Sequence, residues 1–154
     1  MAFDGSGHYL VTGGGDGYTR SWDPATGEQT SEFRSSAGWI RTVGVDEAGA
    51  RIAVGLGSGD VSVHHVTRGG PPLHLLGHGG RVLAAAFVAD NELVTAAADG
   101  TVRLWSLEAQ RQLAQVRIDA SLQCASIDRR TGSVLAASAA GVVSLRRRRG
   151  SRET

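Results

Sequence analysis

The chain has 154 residues, of which 41% are hydrophobic and 20% are charged, a composition typical of one folded domain. All sixteen basic residues are arginine, and five of them lie in residues 146–154, so the formal net charge of +1 becomes −3 when that segment is removed. A mildly acidic body disfavours a nucleic-acid-binding surface there, and the longest apolar run, VLAAAFVA at 82–89, is too short to cross a bilayer.

Two features of the sequence bear on the cellular location. The single cysteine, Cys124, has no partner for an internal disulfide, and the amino-terminal MAFDGSGHYL lacks the basic head and apolar stretch of a signal peptide. We therefore expect a cytoplasmic protein. The absence of lysine beside many arginines, alanines and glycines suggests a GC-rich, bacterial genome.

Four segments of the chain share one pattern, in which small or apolar residues lead into a tight turn and then into an alternating strand. They are LVTGGGDGYTRSWD (10–23), IAVGLGSGDVSVHH (52–65), LVTAAADGTVRLWS (93–106) and VLAASAAGVVSLRR (134–147). The glycines of the four turns are Gly17, Gly59, Gly100 and Gly141, with spacings of 42, 41 and 41 residues. A period of this length indicates a repeat architecture.

Each unit is predicted to contain about four short strands joined by glycine-rich turns. The first strand of each unit contains an apolar residue 13 or 14 positions before the turn glycine: Phe3, Val45, Phe87 and Ile127. In chain order, the first unit has only a stub of its inner strand, the second and third are complete, and the fourth has three strands. No segment has a sustained helical period, and RQLAQVR at 111–117 is interpreted as a strand.

The motifs of the third unit are Gly77–His78, Asp99–Gly100 and Trp105–Ser106, and the first unit ends in Trp22–Asp23. With these motifs at this period, residues 1–147 resemble the WD-repeat β-propeller family. The resemblance implies an all-β fold, an incomplete or open propeller of about three and a half to four blades, each a four-stranded antiparallel sheet. Residues 148–154 are expected to be a disordered basic tail.

The resemblance also implies a buried structural tetrad in each complete blade, formed by a histidine, a strand hydroxyl, a turn acid and a strand tryptophan. In the third unit these residues are His78, Thr95, Asp99 and Trp105. The first unit keeps Thr12, Asp16 and Trp22, and its histidine would precede Met1. The second unit has Ser36, Val54, Ser58 and His64 at these positions, and the fourth has Ala136, Ala140 and Leu145, with Ile118 or Asp119 at the histidine position. We expect the second and fourth blades, without a tetrad, to be the looser ones.

The residues His78, Asp99 and Thr95 also allow a hydrolase-like hypothesis. Such chemistry needs an exposed nucleophile and an oxyanion hole, whereas Thr95 lies in a strand between apolar neighbours. We therefore predict no catalytic residues and no enzyme.

Metal and cofactor sites are not predicted either. The histidines at 64, 65, 74 and 78 do not converge as the three or four ligands that a metal requires. The segment GLGSG at 55–59 resembles a phosphate loop, but no helix is predicted to follow it.

WD-repeat propellers mostly hold partner proteins, so the resemblance implies a non-catalytic protein–protein interaction scaffold. Trp39 and Arg81 occupy matching positions just before two inner strands, and both residue types are typical interface anchors. Two other classes of function are also consistent with the sequence. The arginine run at 146–149 is a candidate for binding nucleic acid or an acidic membrane, and the chain is alternatively a small-ligand or enzymatic propeller fragment.

An open row of blades would expose sheet faces and strand edges. Three arrangements are consistent with the sequence: a piece of a longer propeller, two copies joined head to tail, or four units that close alone. We favour the first, because the missing strand and histidine of the first unit would precede Met1.

Overall fold

A computed structural model describes residues 1–34, 38–66, 68–118 and 121–146, and its strands form four antiparallel sheets, here called blades 1 to 4. Blade 1 contains β1 (Ala2–Phe3), β2 (Leu10–Gly13), β3 (Tyr18–Trp22) and β4 (Gln29–Arg34). Blade 2 contains β5 (Ile40–Val45), β6 (Arg51–Leu56), β7 (Val61–His65) and β8 (Leu73–Leu75). Blade 3 contains β9 (Val82–Ala89), β10 (Glu92–Ala97), β11 (Thr101–Ser106) and β12 (Arg111–Arg117). Blade 4 contains β13 (Leu122–Ile127), β14 (Val134–Ser138) and β15 (Gly141–Leu145).

The all-β fold of antiparallel propeller blades is confirmed. Blades 2 and 3 have four strands each, blade 1 begins with the two-residue β1, and the described part of blade 4 has three strands. The segment 111–117 is the outer strand β12. No helix long and apolar enough to cross a membrane occurs in the described ranges. The predicted tail at 148–154 lies outside them.

The turn glycines allow the tight hairpin between the second and third strand of each blade. Gly17, Gly59 and Gly100 have φ angles of 80°, 100° and 80°, a left-handed conformation that side chains disfavour. The fourth hairpin differs, because Leu145 pairs with Val134 only eleven residues away, whereas Trp105 pairs with Leu93 twelve residues away. This one-residue deletion brings Gly141 opposite Ser138, where it adopts a φ of 132°.

Apolar side chains on both faces of the inner strands fill the three interfaces between neighbouring blades. Alternation along a strand sends successive side chains to opposite faces, so each middle blade contributes to two interfaces. The interface of blades 1 and 2 contains Val11, Ile40, Val43, Val45, Ile52 and Val54. That of blades 2 and 3 includes Ala53, Val61, Val63, Leu75, Val82, Phe87, Leu93 and Trp105. That of blades 3 and 4 includes Ala84, Val94, Ala96, Val102, Leu122, Val134 and Ala136.

The row of blades curves around a common axis. The loops after the four inner strands line one cavity of about 510 Å³, to which Asp4, Glu47, Asp90 and Arg129 each contribute from a different blade. Arg129 of blade 4 also bonds blade 1, because its Nη1 donates a hydrogen bond to the carbonyl oxygen of Phe3 in β1 at 3.0 Å. The outward sheet faces of blades 1 and 4 nevertheless stay exposed, so the row is open.

Candidate functional site

The polar group of blade 3 is held by four adjoining elements. His78 lies in the loop between β8 and β9, Thr95 is in β10, Asp99 is in the following turn, and Trp105 is in β11. The Trp105 Nε1–H donates to Thr95 Oγ1 at 2.8 Å, and Thr95 Oγ1 lies 2.7 Å from His78 Nε2. On the other side of the imidazole, His78 Nδ1 lies 3.3 Å from Asp99 Oδ2. The structure therefore brings all four residues into one network.

Thr101 is a fifth member, which the sequence reasoning missed. Its hydroxyl lies 2.9 Å from His78 Nδ1 and donates to Asp99 Oδ1 at 2.7 Å, while its backbone N–H donates to the same oxygen at 2.9 Å. A hydroxyl residue two positions after a turn aspartate is the signal that would have found it, since such a pair commonly forms local side-chain-to-backbone bonds.

The hydrogen bonds run in one direction through the network. Trp105 can only donate, so the Thr95 hydroxyl accepts from it and donates to His78 Nε2; His78 Nδ1–H then donates towards Thr101 and Asp99. This order requires a neutral imidazole. Burial lowers the pKa of His78 below 6.5 despite the opposing effect of Asp99, so the ring is neutral at pH 7.

The carboxyl group of Asp99 is ionised in this arrangement. Burial alone would raise the pKa of Asp99, but hydrogen bonds from the Thr101 side chain and from the backbone N–H of Gly79 and Thr101 outweigh that effect and lower it. Asp99 thus joins the histidine loop to the turn as an acceptor.

Blade 1 keeps part of this arrangement. The Trp22 Nε1–H donates to Thr12 Oγ1 at 2.9 Å, as in blade 3. Asp16 instead accepts from Arg20 at 2.8 Å, and Arg20 also pairs with Glu32 at 2.6 Å. The side-chain hydrogen bond from Arg20 lowers the pKa of Asp16. In blade 1 the half-buried Arg20 therefore bonds the turn acid that bonds a histidine in blade 3.

Blade 2 has an apolar residue, the fully buried Val54, at the threonine position. At its tryptophan position, His64 Nε2 lies 2.9 Å from Ser62 Oγ, and the imidazole packs against the ring of Phe33 at 5.0 Å. Burial, with a smaller contribution from His74, lowers the pKa of His64 to about 4. The imidazole at this position is therefore neutral and serves as a packing group. Ser36, assigned to the histidine position, lies outside the described residues.

Blade 4 is apolar at the corresponding positions. Ala136 is buried, Ala140 is exposed, and Leu145 packs against the apolar cluster shared with blade 3. Ile118 packs against the same cluster, and Asp119 lies outside the described residues.

The accessibility of these groups bears on the hydrolase-like hypothesis. Thr95 has 0% exposure and the His78 side chain is buried, so no substrate can reach the Thr95 hydroxyl. Within the described ranges, no three histidine, cysteine, aspartate or glutamate side chains lie close enough to hold a metal ion. The glycine-rich segment 55–59 leads into β7, and not into a helix.

Trp39 and Arg81 lie on a different surface, where the chain enters the inner strands β5 and β9. Their backbone carbonyls accept hydrogen bonds from Gly57 N–H at 3.0 Å and Ala98 N–H at 2.9 Å, which ties both residues to the adjacent hairpin turns in the same way. The two side chains line one depression, together with Arg41, Gly57, Ser58 and Ala98. We call this the Trp39–Arg81 surface.

Comparison with known proteins finds a match to a family model in the parts of the chain that hold the polar networks of blades 1 and 3. The family model described as "WD domain, G-beta repeat" matches residues 1–23 and 70–106, which hold the partial network of blade 1 and the full network of blade 3. Protein tipD of Dictyostelium discoideum is 31% identical over 108 residues, covering 70% of this chain and 18% of that protein.

Two guanine nucleotide-binding protein subunits are similar as well. The G(I)/G(S)/G(T) subunit beta-1 of Homarus americanus is 30% identical over 110 residues, covering 69% of this chain and 32% of that protein. Subunit beta-1 of Drosophila melanogaster is 29% identical over 135 residues, covering 85% and 36%. The chain thus spans only about a third of the length of each of these two subunits. All three relatives are eukaryotic, so they do not support the bacterial source suggested by composition.

Proposed function

Since this chain is a WD-repeat protein, we propose that it is a non-catalytic scaffold that binds other proteins at the Trp39–Arg81 surface. The observation that supports this most directly is the exposure of Trp39, 67% of whose surface faces solvent in an otherwise well-packed blade. Tryptophan and arginine are among the residue types most enriched at the energetic centre of protein interfaces.

The charge of this surface indicates the chemistry of the partner. Arg41 and Arg81 are both exposed, and neither forms a salt bridge with an acid among the described residues. Their guanidinium groups suit carboxylates, which they bind with two parallel hydrogen bonds. We therefore propose that the partner presents an acidic segment with an apolar side chain that packs on Trp39.

Non-catalytic action is supported by the burial of the polar network in blade 3. The groups that resemble a nucleophile, a base and an acid are bonded to each other inside the blade. We propose that they fasten the loop before β9 to the β10–β11 hairpin. A cytoplasmic location, for which the lone cysteine is the support, belongs to the same proposal.

A second candidate function rests on the carboxyl-terminal arginines. Four consecutive arginines at 146–149 would attract a polyanion such as nucleic acid or an acidic membrane. This activity would be separable from the Trp39–Arg81 surface, because the two lie in different segments of the chain.

The first experiment compares partner binding by the wild-type chain and by Trp39→Ala and Arg81→Ala variants. Immobilised protein would be incubated with extract of the source cells, and retained proteins quantified by mass spectrometry. We expect either substitution to lower retention of the same set of proteins at least about tenfold. The control is Leu76→Ala, since Leu76 has the same 67% exposure but does not line the depression.

Unfolding curves would establish that all three variants are folded. Unchanged retention by folded Trp39→Ala and Arg81→Ala proteins would contradict the proposed surface.

A further inference from the structure

The depression at the centre of the Trp39–Arg81 surface is lined by two positive charges. Arg41 contributes one of them from blade 2, and Arg81 contributes the other from the start of blade 3. Both side chains are exposed, and among the described residues no acid lines the depression or forms a salt bridge with either of them. A single carboxylate would balance only one of these charges. The depression therefore suits a group that carries two negative charges.

The acids of the two nearest hairpin turns are bonded within or beside their own turns. Asp60, between β6 and β7, accepts a hydrogen bond from Ser58 Oγ at 2.9 Å. Asp99, between β10 and β11, accepts from the Gly79 N–H at 2.8 Å and from the Thr101 hydroxyl at 2.7 Å. Neither carboxylate lines the depression, so both guanidinium groups can bind a ligand.

Backbone contacts fix the two walls of the depression relative to each other. A Cβ atom at Gly59 would lie 2.5 Å from the carbonyl oxygen of His78, so the turn of blade 2 touches the loop before β9 only because glycine occupies this position. The same loop is bonded to the turn of blade 3, where the Ala98 N–H donates to the Arg81 carbonyl at 2.9 Å. The backbone that carries Arg81 is thus held in place before a ligand binds, which lowers the entropic cost of binding.

The number of charges separates the kinds of anion that could enter. A phosphate monoester carries about −1.5 to −2 charges at pH 7 and three strong acceptor oxygens, whereas each phosphate group of a nucleic-acid backbone carries one negative charge. Arginine binds phosphate with two parallel hydrogen bonds. Two arginines in one depression therefore match a monoester better than a diester or a lone carboxylate.

We propose that a phosphorylated side chain of the partner protein enters this depression. Arg41 and Arg81 donate hydrogen bonds to its phosphate oxygens, and an adjacent apolar or aromatic group packs on the exposed ring of Trp39. The inference rests on the scaffold function proposed above, and it makes binding of the partner dependent on phosphorylation.

Phenyl phosphate is a suitable probe, because it joins a phosphate monoester to an aromatic ring. Benzenesulfonate is the matched control, since it has the same ring and a tetrahedral anion with one charge. NMR titrations of the complete chain at pH 7.5 would follow the indole N–H signal of Trp39, identified by its loss in Trp39→Ala. We expect affinity for phenyl phosphate to be at least about tenfold higher than for benzenesulfonate.

A substitution at Gly57 tests the depression without removing an arginine or the tryptophan. Gly57 has no left-handed φ, and a Cβ atom there would make only ordinary contacts, at 3.8 Å from the Trp39 carbonyl oxygen and 4.0 Å from Arg41 Cγ. Gly57→Asp adds a carboxylate at the position of the ligand, so we expect affinity for phenyl phosphate to fall at least about tenfold. Gly57→Asn has nearly the same size without the charge, and it should stay within about threefold of the wild type.

Phosphatase treatment connects the probe to the partner. Extract of the source cells would be treated with a phosphatase before it meets the immobilised wild-type chain. We expect the proteins whose retention depends on Trp39 to be retained at least about tenfold less, and excess phenyl phosphate to release them from untreated samples.

Three results would each overturn the phosphate inference: equal affinity for phenyl phosphate and benzenesulfonate, equal binding by the folded Gly57→Asp and Gly57→Asn variants, or Trp39-dependent retention that survives the phosphatase. In that last case the scaffold function would stand, because the partner would still need Trp39. Equal retention by the wild type and Trp39→Ala would instead contradict the scaffold function, so the two failures are distinguishable.

Discussion

Thr95 connects the two halves of the blade 3 network. Its hydroxyl accepts from the indole of Trp105 and donates to the imidazole of His78, and the residue is fully buried. Such a position makes both neighbours depend on one oxygen atom. A buried polar group that loses its partner retains the full cost of leaving water.

We expect Thr95→Val to lower the free energy of unfolding by about 3 kcal/mol, because it leaves the Trp105 N–H and His78 Nε2 unpaired without changing side-chain size much. Denaturant unfolding monitored by tryptophan fluorescence would measure this loss. Thr12→Val is the matched control in blade 1, where Trp22 is partly exposed and water can replace the lost bond. Equal losses for the two variants would show that the buried network is not what distinguishes blade 3.

The residue types of this network could be anticipated from the motifs, but their bonding pattern could not. The period assigns His78, Thr95, Asp99 and Trp105 to one unit, whereas Thr101 joins only because the turn points its hydroxyl at both Asp99 and His78. In blade 1 the threonine, aspartate and tryptophan have the same spacing as in blade 3, but that spacing does not predict that Asp16 pairs with Arg20. Which acceptor a flexible arginine reaches depends on space that the linear pattern does not encode.

Individual strands and hairpins follow the sequence pattern closely where alternation and turn glycines agree. The stub strand at Phe3 and the outer strand at 111–117 are both where the pattern predicts them. The sequence pattern does not predict the shortened hairpin of blade 4. Gly141 keeps the 41-residue spacing from Gly100, although the hairpin that contains it is one residue shorter. Burial also differs between blades 2 and 4, both of which lack the network: Ile52, Ala53 and Val54 are completely buried between neighbours.

Because of this difference in burial, we expect blade 4, and not blade 2, to be much looser than blade 3. We expect backbone amides of β14 to exchange hydrogen at least about tenfold faster than those of β10, with β6 closer to β10, because β14 has a neighbouring blade on one face only. Hydrogen exchange of the wild-type chain followed by NMR would measure these rates. Equal protection of β14 and β10 would contradict this expectation.

Over the whole molecule, positive charge is concentrated at the carboxyl terminus. Five of the sixteen arginines and one of the fifteen acids lie in residues 146–154, and β15 ends at Leu145. The propeller body and the arginine segment therefore have opposite net charges. Sequence composition establishes this division completely, since it does not depend on folding.

We expect deletion of residues 146–154 to abolish retention on a heparin column while leaving the unfolding transition unchanged. The wild-type chain should elute at a salt concentration set by its arginines, because counterion release makes such binding fall steeply with salt. Trp39→Ala is the control, since it alters the proposed partner surface and keeps all arginines. Identical elution of the deletion variant and the wild type would place the polyanion-binding charge on the body instead.

The one-way order of hydrogen bonds in blade 3 has a consequence for how such repeats diverge. Because the polar groups from Trp105 to Asp99 bond one another inside the blade, replacing one member leaves its neighbours there without that partner. Gradual loss, one residue at a time, would pass through intermediates less stable than either end point. A partial set is therefore expected only where another group or water satisfies the remaining members, as in blade 1, where Asp16 is exposed and bonds Arg20. Blade 3 keeps the full set, and in blades 2 and 4 none of the four residue types remains at its described position.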